Sequence, residues 1–157
     1  MIVTGVVESS SWVIRPERRV TSTTSLPDGK VIVKPPNPAE YLVGTIFQVK
    51  VDRVIKKQGT VKVGSRIRVF VPGFMTTEQP ALVEKQNYLL FLSKFAADRV
   101  TFAGTMTYNP RKQTDSVVRF KPELTYVVAA GPNGAIRISS DNMTVIDEVK
   151  AAMQKND

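Results

Sequence analysis

Asn87-Tyr88-Leu89-Leu90-Phe91-Leu92 is the most informative segment of the sequence, because from Tyr88 onward it is apolar on both faces of an extended chain. A strand that is apolar on both faces has to be shielded from water on both. In an all-β chain a closed barrel or an overlying helix does this most readily. We therefore expect this hexapeptide to lie at the centre of a small closed β-barrel.

The two segments before the hexapeptide have the alternating pattern of strands with one buried face. Val54 falls out of phase in the first of them, residues 42–55, so we expect a β-bulge near Asp52-Arg53 that restores the register. A bulge or bend is also expected in the first strand, where Glu8 and three serines interrupt the apolar pattern. The predicted core face of the two alternating segments consists of Phe47, Val49, Val51, Ile67, Val69 and Val71.

Residues 15–40 form an insertion that is rich in proline, serine and threonine, and we expect it to be mobile. Within it, residues 19–21 are predicted to pair with residues 31–33 across a turn at residues 26–29. Later strands are expected at residues 100–108 and 116–120. Residues 125–130 and 135–138 are predicted to form a hairpin around the Gly-Pro-Asn-Gly turn at 131–134.

A single C-terminal helix is predicted over residues 141–154, packed on the barrel. Asp141 can cap this helix, and the spacing from Thr144 to Asp147 is that of a capping box with Asp in place of Glu. No repeat or composition change divides the chain, so residues 1–157 are interpreted as one domain. The apolar residues that define the helical face are Val145, Ile146, Val149, Ala152 and Met153.

Composition excludes several classes of activity. The 157 residues are 42% hydrophobic, which is ordinary for one folded domain, and they contain neither cysteine nor histidine. Catalysis by Ser-His-Asp or Cys-His, zinc hydrolysis and haem ligation through His or Cys are therefore excluded. The remaining candidate catalytic pairs are a serine of residues 9–11 beside a lysine, and Glu84 with Asp98, but both are better interpreted as polar loop residues. We expect no enzyme activity, no catalytic residue, no cofactor and no metal.

Positive charge is concentrated in one part of the chain. The 22 Lys and Arg residues outnumber the 14 Asp and Glu residues, which gives a formal net charge of +8. One interpretation is that these side chains protect a solvated hairpin from edge pairing, and the other is that they form a binding surface. Trp12 and Phe74 are further candidate ligand contacts, although Trp12 is also suited to closing one end of the core. The basic hairpin, residues 50–68, contains Lys50, Arg53, Lys56, Lys57, Lys62, Arg66 and Arg68, with Asp52 as its one acidic residue.

Four segments together resemble the netrin/TIMP-like branch of the OB-fold, and most closely uncharacterised bacterial exported domains of that type. The resemblance implies a mainly β fold: a five-stranded OB-like Greek-key barrel with an inserted hairpin and a C-terminal α-helix. Chelation of a protease zinc by an N-terminal cysteine, as used by inhibitors of that group, does not carry over to a chain without cysteine. The matching segments are residues 3–7 with Ser11-Trp12, residues 47–56, residues 64–69 and residues 88–92.

The resemblance and the charge pattern together favour a non-catalytic binding module of the bacterial cell envelope. Its partner would be a protein or an acidic polymer bound through the basic hairpin. The alternative is a single-stranded nucleic-acid-binding OB-fold protein, for which Phe70, beside Arg66 and Arg68, is the one aromatic residue expected to face outward. An extracytoplasmic location is expected if a signal peptide has been removed, and a cytoplasmic one otherwise. No apolar run is long enough to predict a membrane span.

Overall fold

The computed structural model describes residues 1–15, 22–25, 27–29, 31–34, 42–73, 82–95, 105–108, 118–119, 125–129 and 131–155. In these residues the protein is mainly β, with one α-helix near the C-terminus. The strands are β1 (Ile2–Ile14), β2 (Ser22–Ser25), β3 (Val31–Lys34), β4 (Leu42–Lys56), β5 (Arg66–Pro72), β6 (Asn87–Lys94), β7 (Met106–Tyr108), β8 (Val118–Arg119), β9 (Thr125–Val128) and β10 (Ala135–Arg137), and the helix is α1 (Thr144–Gln154).

Five of the strands pair in a ring, in the order β1, β4, β5, β9, β6 and back to β1. β5 and β9 run parallel, and the other four pairings in the ring are antiparallel. β10 lies against β6, β7 pairs with the end of β1, and β8 pairs with β7. β2 and β3 form a separate two-stranded sheet.

The hexapeptide that was predicted to be doubly covered forms most of β6. Its first five residues pair with β1 along one edge of the strand, and β10 and β9 pair along the other edge. Its buried side chains lie on both faces, since the adjacent residues Leu89 and Leu90 are both 0% exposed. The prediction that this strand is buried on both faces is confirmed.

The main core cluster consists of side chains from β1, β4, β5 and β6 together with Val61 and Leu82 from two loops, and the predicted core face of the two alternating segments is confirmed. Burial of a large aliphatic side chain contributes about 1.5–3 kcal/mol, so this cluster is the principal source of stability. Its buried members are Val3, Val7, Phe47, Val49, Val51, Val61, Ile67, Val69, Val71, Leu82, Tyr88, Leu90 and Leu92.

Bulges occur where the phase of the sequence changes. Thr4 pairs with Arg53 and Gly5 pairs with Val51, so Asp52 is the extra residue of a bulge in β4. Beyond this bulge, Val54 packs against the main core cluster, as the predicted change of register requires. Glu8 is the extra residue in β1, because its neighbours Val7 and Ser9 pair with consecutive residues of β4. Both predicted irregularities are confirmed.

A second, smaller core cluster lies on the opposite face of β4 and β5. Its buried members are Val13, Ile46 and Phe70, and Phe95 and Val127 pack against them. The rings of Phe70 and Phe95 are 5.0 Å apart between centroids and are tilted by 38°. The expectation that Phe70 faces outward beside the arginines is therefore wrong as far as exposure is concerned. Phe70 does point away from the main core cluster, but this second cluster buries it.

The prediction of a late hairpin is wrong. β9 and β10 do not pair with each other, because both run antiparallel along the same edge of β6. The residues between them, Gly131–Gly134, form a short 3-10 turn that displaces the chain without reversing it. Gly134 packs so closely on the backbone of Ala129 that an added Cβ would collide with its carbonyl oxygen. β9 and β10 are thus two parts of one interrupted strand.

The hairpin in the insertion is present, but with a different register. Residues 31–34 pair with residues 22–25, so the strand at 31–33 has other partners than the predicted ones. Gly29, with φ +78°, lies in the predicted turn. Residues 16–21, 26, 30 and 35–40 of the insertion, and Phe74, lie outside the described residues. So do most of the predicted strands at 100–108 and 116–120, of which β7 and β8 are the described parts.

The C-terminal helix is confirmed, although it begins at Thr144 and its predicted capping is wrong. Met143 is the N-cap residue, and its side chain makes no capping hydrogen bond. The preceding turn is fastened instead by Asn142, whose Oδ1 accepts a 2.7 Å hydrogen bond from the Ser139 N–H. Asn142 Nδ2 donates to the carbonyl of Arg137 at 2.7 Å. Ile146 is the buried residue of the helix, at 5% exposure.

Candidate functional site

The outer row of β4 and β5, defined as Gln48, Lys50, Arg66 and Arg68, lies on the face of the ring opposite the main core cluster. Gln48 pairs with Arg68, and Lys50 pairs with Arg66. The next pair on this face, Ile46 with Phe70, belongs to the second core cluster. The face is therefore divided into an apolar half, which is buried, and a cationic half, in which Lys50, Arg66 and Arg68 are exposed.

Lys50 and Arg68 do not lie on free edges. β4 pairs with β1 on one side of Lys50 and with β5 on the other. Arg68 pairs with Gln48 on β4 and with Thr125 on β9. Protection against edge pairing, the first interpretation of the basic hairpin, therefore does not explain these two positions. Lys50 and Arg66 are also directly opposite each other, and like charges in that arrangement destabilise a sheet.

The loop between β4 and β5 presents further lysines to solvent. It turns at Gly59 and again at Gly64, with φ values of +71° and +81°. Between these turns, Val61 is buried in the main core cluster, so the loop is anchored from inside. Lys57 and Lys62 are exposed on this loop, and Lys56 and Arg53 are exposed at the end of β4. All seven cations of the basic hairpin are thus accessible.

Glu8 contributes a carboxylate to the outer row. Arg66 donates to it from two atoms, from Nε to Oε2 at 2.8 Å and from Nη2 to Oε1 at 3.3 Å. This hydrogen bond is the main reason that the pKa of the Glu8 carboxyl is lowered, and the charges of Arg66 and Lys50 lower it further. The same contact raises the pKa of Arg66. Glu8 was not predicted as a site residue, although the polar interruption that it makes in β1 indicated the bulge.

Trp12 is separated from the basic hairpin along the sheet. It pairs with Thr45 on β4 and with Tyr108 on β7, and it is half-buried. Lys50 is five residues further along β4, which is about 16 Å of extended strand. Of the two aromatic residues expected near the site, Phe74 lies outside the described residues and Trp12 is not brought to the outer row.

A pocket of about 420 Å³ lies between β1 and the turn before β6, lined by Ser10, Phe47 and residues 82–85. Glu84 Oε1 accepts hydrogen bonds from both the N–H and the hydroxyl of Ser10, at 2.9 and 2.6 Å. Ser10 is therefore bonded to a carboxylate, which is not the partner that a Ser-Lys dyad needs. Asp98, the other half of the carboxylate pair, lies outside the described residues.

The described part of the chain contains no group of three or more acidic side chains that could hold a metal ion. None of its helices combines the length and the apolarity needed to cross a membrane. No protein-family model, curated protein or solved structure matches the chain.

Proposed function

We propose that this protein is a non-catalytic binding module that binds an acidic polymer through the outer row and the adjoining loop of the basic hairpin. The observation that carries the proposal is the position of Lys50 and Arg68 on strands that are paired on both sides. Lys50 lies opposite the like-charged Arg66 and shares with it the single carboxylate of Glu8, and neither Lys50 nor Arg68 protects an edge. Binding of a polyanion gives these residues a role that folding does not.

The order of the ring supports an OB-like barrel for this module. An OB-fold is a five-stranded Greek-key barrel that binds polymers on the face of its second and third strands and with nearby loops. The strand order supports this path, because β1, β4 and β5 pair in succession and β6 returns to lie beside β1. β4 and β5 correspond to the second and third strands, and they carry the outer row. The netrin/TIMP-like resemblance and the location in the bacterial cell envelope stay predictions within this proposal.

The single-stranded nucleic-acid alternative has less support. Such binders combine cations with aromatic side chains on which bases stack. Phe70, the expected platform, is 2% exposed in the second core cluster. The outer row therefore offers charge without a described stacking surface, which suits a polymer recognised through its anionic groups.

Charge reversal at the end of β4 and in the adjoining loop tests the proposal. The variant Lys56→Glu, Lys57→Glu, Lys62→Glu is expected to bind a heparin oligosaccharide at least about 100-fold more weakly than the wild type. Loss of the three lysines accounts for this figure at about 1 kcal/mol for each basic residue near an anionic surface, and the new carboxylates add repulsion. Isothermal titration gives the dissociation constant, and retention on a heparin column gives the salt dependence.

The matched control reverses three exposed cations elsewhere, Lys94, Arg137 and Lys155, so that both variants have the same net charge. We expect this control to keep most of the affinity. Equal losses in the two variants would show that heparin responds to net charge alone, and the proposal would fail. Tighter binding of an oligothymidylate than of heparin would favour the nucleic-acid alternative.

A further inference from the structure

Glu8 belongs to β1 and not to the basic hairpin, and the pairing of the strands brings it next to the outer row. The bulge in β1 leaves Glu8 without a paired residue on β4, between the pairs of Val7 and Ser9. Its side chain reaches across β4 to Arg66 on β5. Two strand spacings, about 10 Å, separate these backbones, so both side chains extend toward each other across β4.

The carboxylate of Glu8 is the same kind of group that an acidic polymer would present. It meets the guanidinium of Arg66 through two nitrogen atoms, the geometry that Arg uses for carboxylate, sulfate and phosphate oxygens. The side chain of Arg66 is 58% exposed and that of Glu8 is 29% exposed, so solvent and ligands have access to the pair. Because the pKa of Glu8 is lowered, this carboxylate is ionised throughout the neutral range.

We infer that Glu8 is an internal competitor that occupies the oxyanion-binding position of Arg66, and that a ligand has to displace it. This inference rests on the proposed function of the outer row. Arg66 is then the residue that receives an oxyanion of the polymer, with Lys50 opposite it on β4 and Arg68 two residues further along β5. The cost of displacing Glu8 is the same for every chain that binds Arg66, and it is the largest share of the binding free energy of a sparsely charged chain. Glu8 thereby favours polymers of high charge density.

The variant Glu8→Gln tests this inference. It keeps the size of the side chain and removes the charge that competes for Arg66. We expect the dissociation constant for the heparin oligosaccharide to fall roughly two- to fivefold, the equilibrium effect of a typical exposed ion pair. We also expect a steeper salt dependence, because in the wild type the displaced Glu8 carboxylate takes up a counterion and so lowers the net number of ions released on binding.

The matched control is Asp147→Asn, which changes the net charge equally at an exposed acid paired with Lys150 at 3.4 Å on α1. We expect this control to bind like the wild type. In an Arg66→Gln background, Glu8→Gln is expected to leave the dissociation constant unchanged, because Glu8 then has no guanidinium to compete for. Thermal unfolding of each variant verifies that the binding measurements are made on folded protein.

The outcomes separate the two proposals. If the lysine reversal weakens binding as expected and Glu8→Gln binds no better than Asp147→Asn, the proposed binding surface is supported and the role of Glu8 as a competitor is disproved. An effect of Glu8→Gln that persists without Arg66 also overturns the inference. Wild-type protein that does not bind the oligosaccharide overturns both proposals.

Discussion

Gly5 shows how single residues set the curvature of the ring. It lies on β1 where this strand pairs with Val51 on one side and with Tyr88 on the other. A Cβ built at Gly5 would collide with the backbone carbonyl oxygen of Lys50 and would lie 2.8 Å from the side chain of Val49. The bulge at Asp52 is immediately beside this position. Glycine is therefore required here by close approach of two strands, with no need for an unusual φ value.

We predict that Gly5→Ala destabilises the protein by about 3 kcal/mol, the upper part of the range for overpacking. The clash is with a paired backbone, which cannot move away without disturbing the β1–β4 ladder. Urea unfolding followed by circular dichroism measures the change. Gly59→Ala serves as the control, because its added Cβ has no atom within 4 Å and only the φ of +71° is unfavourable. The control should cost about 1 kcal/mol, and a smaller effect at Gly5 than at Gly59 would contradict the prediction.

The junction between β10 and α1 depends on an element that the sequence pattern did not indicate. Asn142 holds both Ser139 and Arg137, so the end of the strand and the start of the helix are tied together one turn before the helix begins. The predicted capping box at Thr144 had the correct residue spacing. It was wrong because the 3-10 turn Ser140–Asn142 leads directly into the helix and leaves Met143, in helical conformation, as the N-cap.

We predict that Asn142→Ala destabilises the protein by about 1 kcal/mol, as removal of a helix cap does. Thr144→Ala is the matched control, and it should change the stability by less than about 0.5 kcal/mol because Thr144 is exposed and is not the cap. Urea unfolding gives both values. The opposite ranking would indicate that the Thr144 capping box operates in solution.

On the scale of the whole molecule, the sequence predicted the strands of the ring better than it predicted the surface. The alternation of Val49 and Val69 with charged neighbours, and the unbroken apolar run ending in Leu92, were sufficient because burial imposes a period of two residues. The burial of Phe70 was not predictable in this way, since its cover, Phe95, belongs to another segment. The ion pair of Glu8 with Arg66 joins residues 58 positions apart, and no local pattern encodes such a contact. The pairing of β9 with β10 was predicted wrongly for a similar reason. A turn-like sequence does not specify whether the strand that follows it pairs with the strand before it or with a third strand, here β6.

The two core clusters should unfold together, because β1 and β4 contribute to both. We predict that Leu90→Ala, at a position with 0% exposure, costs about 2–5 kcal/mol. The fluorescence of Trp12 and the far-ultraviolet circular dichroism should then lose signal at the same urea concentration. Val63→Ala, where the valine is 63% exposed, should change the stability by less than about 0.5 kcal/mol. Separate midpoints for the two probes would show that the clusters are independent units.

The pairing of β5 with β9 is short in comparison with that of β1 with β4. Among the described residues it joins only Arg68 to Thr125, Val69 to Tyr126 and Phe70 to Val127. A ring of strands opens most easily where the fewest ladder pairs join neighbouring strands, and β9 has three such pairs with β5 and three with β6. We therefore expect local opening of the ring to begin at β9, and the proposed polymer, bound to Arg68 beside Thr125, to oppose it.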